Sequence, residues 1–408
     1  MMYEVYIAAD APERPGGLIP TPEEDHHMRR VDAEVVDAYI DPERCCNQGS
    51  IVKLQNGELL LGYNEERGPM HADTGRSCLI KSSDGGRSWD PSTRVVVEDY
   101  TDHTGNWDCA FAQISDGTII MHTRICGFIN APGAIANRID EQAMGYVRPH
   151  QTGYAVYKSS DNGDTWNGPI PVSTYPIADS GTAVCLAGGT GSGHVVELPD
   201  GGLLMPLEGT LSPDGYILGG GINWEPSRCF LLRSDDGGDN WHHWGTMAFD
   251  PASIINFQEP SLTRMSNGRL VSMIRVLFRP ARYDYQWVTH SEDDGVTWAP
   301  PQRTRLWGYP ADMIQLQDGR VLSVYSYRAF PMDVRGCTSE DGINWDPADE
   351  FIIAGCHAPE PEVHRQYWHI GYPTVVQLDD GTIVTAYHEY TKDDWPIQYM
   401  QTARFRLD

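Results

Sequence analysis

Apolar and polar positions alternate along this chain in short runs, and the runs are broken at Asn-Gly or Asp-Gly pairs. One unit, an apolar run, such a pair and a second apolar run, recurs six times, with its turns at Asn56-Gly57, Asp116-Gly117, Asp200-Gly201, Asn267-Gly268, Asp318-Gly319 and Asp380-Gly381. Their flanks read SIVKLQNGELLLGY, AFAQISDGTIIMHT, HVVELPDGGLLMPL, SLTRMSNGRLVSMI, ADMIQLQDGRVLSVY and TVVQLDDGTIVTAY. A period of two on both sides of a turn that tolerates positive φ predicts a β-hairpin. The glycines are 60, 84, 67, 51 and 62 residues apart, room for about four strands per unit. No helical periodicity competes. Six four-stranded units predict an all-β fold, a six-bladed β-propeller whose radial repetition protects strand edges. The whole chain, 1–408, is then one propeller domain. Residues 1–45 would complete the last blade, through Ala33–Ile40 or the earlier Tyr3–Ala8.

A second motif keeps a constant phase after the first five turns: SSDGGRSW, SSDNGDTW, SDDGGDNW, SEDDGVTW and a shortened SEDGINW. The sixth unit has TKDDWP instead. Asp and Ser can bond turn N–H groups, Gly supplies positive φ, and Trp packs beneath the loop. These boxes are expected to be staples between the third and fourth strands, with no catalytic or metal role.

The phase of the repeat also selects candidate chemistry. Residues nine before each glycine and seven after it should emerge at one end of the propeller, beside the axis. The first set is Gln48, Asp108, Ser192, Glu259 and Tyr372, with Tyr309 ten back in unit five. The second is Asn64, Arg124, Glu208, Arg275, Ser326 and His388. Polar and titratable groups thus gather at one mouth, where a ligand site or a set of buried ion pairs is expected.

Composition narrows the partners. With 30 Lys plus Arg against 57 Asp plus Glu, the net charge is −27. A polyanion such as nucleic acid, or an anionic membrane, would be repelled. An anionic small molecule feels the local field of a cleft and stays possible. No run approaches the roughly 18 apolar residues of a membrane span. The start, MMYEVYIAAD, makes a poor signal peptide, and nine cysteines without a CxxC pair suggest reduced thiols, so a cytoplasmic location is expected. No phosphate loop or metal motif is present, so no cofactor is expected: GGTGSG precedes a strand, and His26-His27 and His242-His243 are adjacent pairs. His364 and His369 are candidates for lining a sugar subsite or the surface. Trp107, Tyr285, Trp287, Trp307, Tyr367 and Trp368 are expected in loops, stacking on sugar or packing beneath them.

The five boxes resemble the Asp boxes of the sialidase (neuraminidase) superfamily, whose fold is a six-bladed propeller. QEPSLTRMSNGRLVSMIR resembles the sialidase segment holding a Glu and, further on, an Arg of a carboxylate-binding triad. IGYPTVVQLDDGTIVTAY resembles the segment with the nucleophilic Tyr, and GSGHVVELPDGGLLMPL a sialidase third blade. The resemblance implies a retaining exo-glycoside hydrolase acting on an oligosaccharide. Tyr372 would be the nucleophile, Glu259 its base, Arg275 a triad Arg and Asp73 the general acid, with Glu65 and Glu66 as competitors. A phenol with an ordinary pKa of about 10 needs such a base. This chain departs from the pattern where the first triad Arg belongs, having Asn47 and Gln48 in CCNQGSIV. The third triad Arg is unmarked, with Arg305 and Arg328 as candidates. An amide grips a carboxylate less well than a guanidinium does, which leaves room for a sugar other than sialic acid. Arg124, Asp108, Glu208, Tyr309 and His388 complete the expected lining. Two other readings stand beside this one: a polysaccharide lyase or rhamnosidase using His194 or His388, and a carbohydrate-binding propeller without catalysis.

Overall fold

The computed structural model describes residues 28–67, 74–102, 104–127, 150–172, 185–187, 193–210, 228–252, 255–278, 285–328, 332–356, 370–391 and 397–407. They form six antiparallel sheets in a nearly all-β architecture, six blades of a β-propeller. Each blade is a meander. The first comprises Cys45–Lys53, Leu59–Glu66, Arg76–Ser82 and Asp90–Glu98. All six hairpin glycines have φ between 84° and 96°. Each of them closes the innermost pair of its blade.

The sixth blade is Gly371–Gln377, Ile383–Tyr390 and Gln398–Phe405, and its outer strand is Glu34–Tyr39, antiparallel to Gln398–Phe405. The expected Ala33–Ile40 segment thus supplies the closing strand; Tyr3–Ala8 lies outside the described residues. One pairing was not foreseen: Arg29–Arg30 adds in parallel to Glu350–Gly355 of the fifth blade.

Hydrophobic packing lies between blades. Leu59, Leu61 and Ile80 of blade one pack with Val384, Ala386 and Met400 of blade six. Leu60 and Leu79, on the other face of the same strands, pack with Phe111 and Met121 of blade two. A strand buried on both faces needs apolar residues at successive positions, which is why LLLG and IIMH sit beside the turns. Each box tryptophan packs into the interface with the preceding blade: Trp89 lies in the first of these clusters and donates its indole N–H to Thr402 at 3.1 Å.

The boxes are staples, as their composition suggests. Asp161 accepts the N–H of Thr165 at 2.9 Å and its hydroxyl at 2.6 Å, while Ser159 accepts the N–H of Gly163 at 2.9 Å. The Thr165 bonds hold Asp161 down to about 2. Those of Asn240 do the same for Asp236, also to about 2. At Asp84 partial burial pushes upward, but the hydroxyl and N–H of Ser88 outweigh it and bring it to about 2. A depressed folded-state pKa contributes stability above the unfolded value of about 3.9, lost as pH falls through the folded value. The melting temperature should therefore fall steeply between about pH 4 and pH 2, with a shallower fall in Asp161→Asn. A circular-dichroism melting series that is flat across that interval would refute the staple role.

Candidate active site at the axis mouth

The innermost strands of blades one, two, four and six share one defect. In blade one the register runs Asn47 opposite Asn64, then Ser50 opposite Gly62, so one extra residue is inserted. The same slip occurs between Trp107 and Ala110 against Arg124 and His122, and between Gly371 and Thr374 against His388 and Ala386. In blade four the inner strand breaks between Gln258 and Thr263. At these bulges Gln48, Asp108, Glu259 and Tyr372 have φ of 52°, 57°, 46° and 52°. Left-handed backbone is disfavoured for non-glycine residues and marks positions the surrounding structure has to hold. A bulge re-aims a side chain that the strand alternation would point elsewhere. It explains why the nine-back positions carry chemistry while their strand neighbours are apolar.

Two of these side chains, Tyr372 and Glu259, meet each other and Arg275. The Tyr372 hydroxyl donates to Glu259 Oε1 at 3.1 Å, and Arg275 Nη1 donates to the same oxygen at 2.7 Å. The Arg275 guanidinium lies 4.3 Å from the centre of the Tyr309 ring. That of Arg328 lies 4.9 Å from Tyr309 and 5.1 Å from Tyr372. Backbone approach is tight here: a Cβ on Gly371 would come within 2.6 Å of Arg328 Nη2 and 2.7 Å of His388 Cε1, so glycine leaves the room for both. Glu259 Oε2 and Arg275 Nε are buried with no hydrogen-bond partner among the described residues. Buried polar groups usually find partners. An unsatisfied acceptor and donor side by side suit a polar ligand.

The electrostatics follow from burial. Burial and the Glu259 carboxylate push the Tyr372 phenol well above its usual range, although Arg275 and Arg328 pull it back. Tyr372 is a neutral phenol at working pH and needs a base to attack. Burial alone would lower the Arg275 guanidinium, but Glu259, Tyr372 and Tyr309 raise it, so it stays a cation. Burial raises Asp108 to about 6 against the pull of Arg124, with which it forms an ion pair.

Other expected residues are engaged in different ways. Gln48 Oε1 accepts the N–H of Asp108 at 3.2 Å, and Gln48 N–H donates to His388 Nδ1 at 3.3 Å. Asn47 donates its amide to Gln398 at 3.0 Å. Where the resemblance expects an arginine, this chain thus has amides bonded to protein groups, with Asn47 Oδ1 buried and without a partner among the described residues. Glu208 Oε2 accepts the N–H of Glu259. Tyr309 is buried beneath the two guanidiniums.

Several expectations need correcting. Glu65 is fully buried and holds Arg76 Nη2 at 2.6 Å and Arg94 Nη2 at 2.8 Å. Burial raises its pKa, but those two partners win and hold it below the usual range, so it does not suit a general acid. Glu66 is buried in the same strand. Arg305 is exposed on the outermost strand of blade four, Gln302–Trp307, whereas Arg328 lies over Tyr372. Trp107, Tyr285, Trp287 and Trp307 lie in strands, not loops. Asp73, Ser192, His364, Tyr367, Trp368 and His369 lie outside the described residues.

The sequence reading missed Asp312. Its carboxylate accepts the N–H of Val375 at 2.9 Å and faces His194 Nε2 at 3.4 Å, while His194 Nδ1–H donates to the Phe111 carbonyl at 2.7 Å. Blades two, three, five and six are tied across the axis by this pair. A lone acid inside the buried run ADMIQL was the available signal.

Six four-stranded blades define a β-propeller, with a Tyr–Glu–Arg cluster at one mouth. The chain belongs to the BNR repeat-like domain family, which matches residues 141–385. No curated protein sequence matches it. Among solved structures it is similar to a protein of unknown function from Dyadobacter fermentans, at 22% identity over 93% of this chain and 99% of that one, with TM-score 0.72. It is also similar to the Hadza microbial sialidase Hz136, at 16% identity over 89% of this chain and 66% of that one, with TM-score 0.62. A third likeness is to the intramolecular trans-sialidase from Ruminococcus gnavus in complex with oseltamivir carboxylate, at 15% identity over 89% and 94%, with TM-score 0.60. At these identities the likeness is one of fold.

Proposed function

We propose that this protein is an exo-acting, retaining glycoside hydrolase of sialidase type that removes a terminal, anionic sugar from an oligosaccharide. The observation that carries the reading is the Tyr372 hydroxyl donating to Glu259 Oε1 at 3.1 Å with two guanidiniums alongside. In the first step the Tyr372 oxygen bonds to the anomeric carbon as its proton passes to Glu259. The glycosidic bond breaks, and the leaving oxygen takes a proton from a general acid, for which Asp73 is the candidate. Water then attacks the tyrosyl glycoside, giving net retention and restoring the phenol. A neutral nucleophile suits an anomeric centre next to an anionic group, because a carboxylate nucleophile would be repelled.

Arg275 and Arg328 are the anion-binding pair in this reading. With amides instead of a guanidinium at Asn47 and Gln48, the grip comes from two arginines, which favours an anionic sugar other than sialic acid. The lyase and rhamnosidase readings lose support because both ring nitrogens of His194 face protein groups and His388 Nδ1 is occupied by Gln48.

A panel of aryl glycosides, with uronides and sialosides included, tests the proposal. Turnover of an anionic member with retained anomeric configuration by NMR is the expected result. Tight sugar binding without any released aglycone would instead favour the non-catalytic reading.

A further inference from the structure

Five of the six residues seven after a glycine turn do one of two jobs. Arg124 and Arg275 pair with the bulged acid of their own blade, Asp108 and Glu259. Three others reach into the next blade and accept a backbone N–H at its bulge. His388 Nδ1 receives that of Gln48 at 3.3 Å, Asn64 Oδ1 that of Cys109 at 3.2 Å, and Glu208 Oε2 that of Glu259. An inserted residue drops out of the strand ladder, so its N–H requires a partner from elsewhere. At these three junctions the second strand of one blade caps the bulge of the following one.

We propose that Glu208 is a positioning residue: its carboxyl caps the bulge at Glu259, holds that residue in its left-handed conformation, and so aims the Glu259 carboxylate at Tyr372. The inference rests on the Tyr372–Glu259 pair being the reactive unit. Glu208 can hold a fixed position because it sits within Leu203–Thr210, paired to Ala187 on one side and Cys229 on the other. Glu259 φ is 46°, and its two side-chain bonds, 3.1 Å to Tyr372 and 2.7 Å to Arg275, require the backbone to stay there. Burial and the Glu259 charge push the Glu208 carboxyl well above its usual range, against the Glu259 N–H, Arg124 and Arg275. A neutral carboxyl still offers a carbonyl oxygen to the Glu259 N–H. The cap needs an acceptor oxygen and does not need a charge.

Two substitutions separate acceptor from charge. Glu208→Gln keeps a carbonyl oxygen in place, and Glu208→Leu removes it at similar volume. The Gln variant should turn over within about threefold of wild type. The Leu variant should lose kcat by about 100-fold with a much smaller change in KM, the scale of a reacting group displaced by about 1 Å. Crystal structures of both variants should show Glu259 unchanged in Gln and moved off Tyr372, with φ no longer positive, in Leu. The proposal is overturned if Glu259 stays in place in the Leu variant. It is equally overturned if the Gln variant is as slow as the Leu variant, since the carboxyl proton itself would then be required. A wild-type protein that hydrolyses no glycoside would sink the proposed function, while the crystal structures would still decide the role of Glu208.

Discussion

Tyr372→Phe should abolish turnover of the substrate identified by glycoside screening, by on the order of 10⁴-fold or more in kcat, the scale lost with a covalent nucleophile. The substitution removes one oxygen and little else. The phenyl ring can keep its position 5.8 Å from His388, and the guanidinium of Arg328 can keep its place over the ring face. Substrate affinity should therefore survive, with the dissociation constant changed by less than about tenfold, because the anion grip belongs to Arg275 and Arg328. Loss of kcat with retained binding separates a missing nucleophile from a collapsed site. Near wild-type rates in the Phe variant would reject Tyr372 as nucleophile and with it the mechanism proposed above.

Arg275→Ala should both inactivate and destabilise the protein. Arg275 and Glu259 side chains are each only 11% exposed, and they share a 2.7 Å contact. Removing one member of a buried pair leaves an uncompensated charge and costs about 3–5 kcal/mol, far more than breaking a surface pair. Glu259→Ala should cost a similar amount, because it strands the Arg275 cation. The double variant should be less destabilised than the sum of the two, by about 2 kcal/mol, because no stranded charge remains. Urea unfolding of the four proteins measures this coupling, provided the transitions are two-state. Activity should stay absent in all three variants. Additive destabilisation would mean that the pair is not coupled, and that Glu259 is held in place by other groups.

The two experiments probe different parts of one arrangement. In the proposed mechanism Tyr372 acts on the sugar, whereas Arg275 grips an anionic group and also bonds Glu259. One oxygen, Glu259 Oε1, receives both the Tyr372 hydroxyl and the Arg275 N–H. Proton transfer from the phenol to Glu259 Oε1 would therefore weaken the Arg275 contact at that oxygen.

By itself the sequence determined the six-bladed architecture, because its cause is local. Asn-Gly and Asp-Gly turns permit a tight hairpin, alternating apolar runs demand a buried face, and the Ser–Asp–Gly–Trp box closes on itself through bonds within five or fewer residues. The phase of that repeat also determined that Tyr372, Glu259, Arg275, Asp108 and Arg124 share one mouth. Tertiary structure decided the partnerships. Glu65 reads as a loop acid in sequence, yet it is buried between Arg76 and Arg94, the latter 29 residues away. Glu208 and Gln48 read as ligand groups, yet each takes up a backbone N–H in a neighbouring blade. Arg328 and Arg305 could not be ranked by spacing, since only the blade order puts one over Tyr372 and the other on an outer strand. Asp312 meets His194 across the axis from 118 positions away, a contact that exists only because the ring of blades closes. Spacing within a repeat fixes where a side chain emerges; which charge it meets depends on the next blade, and no local pattern carries that.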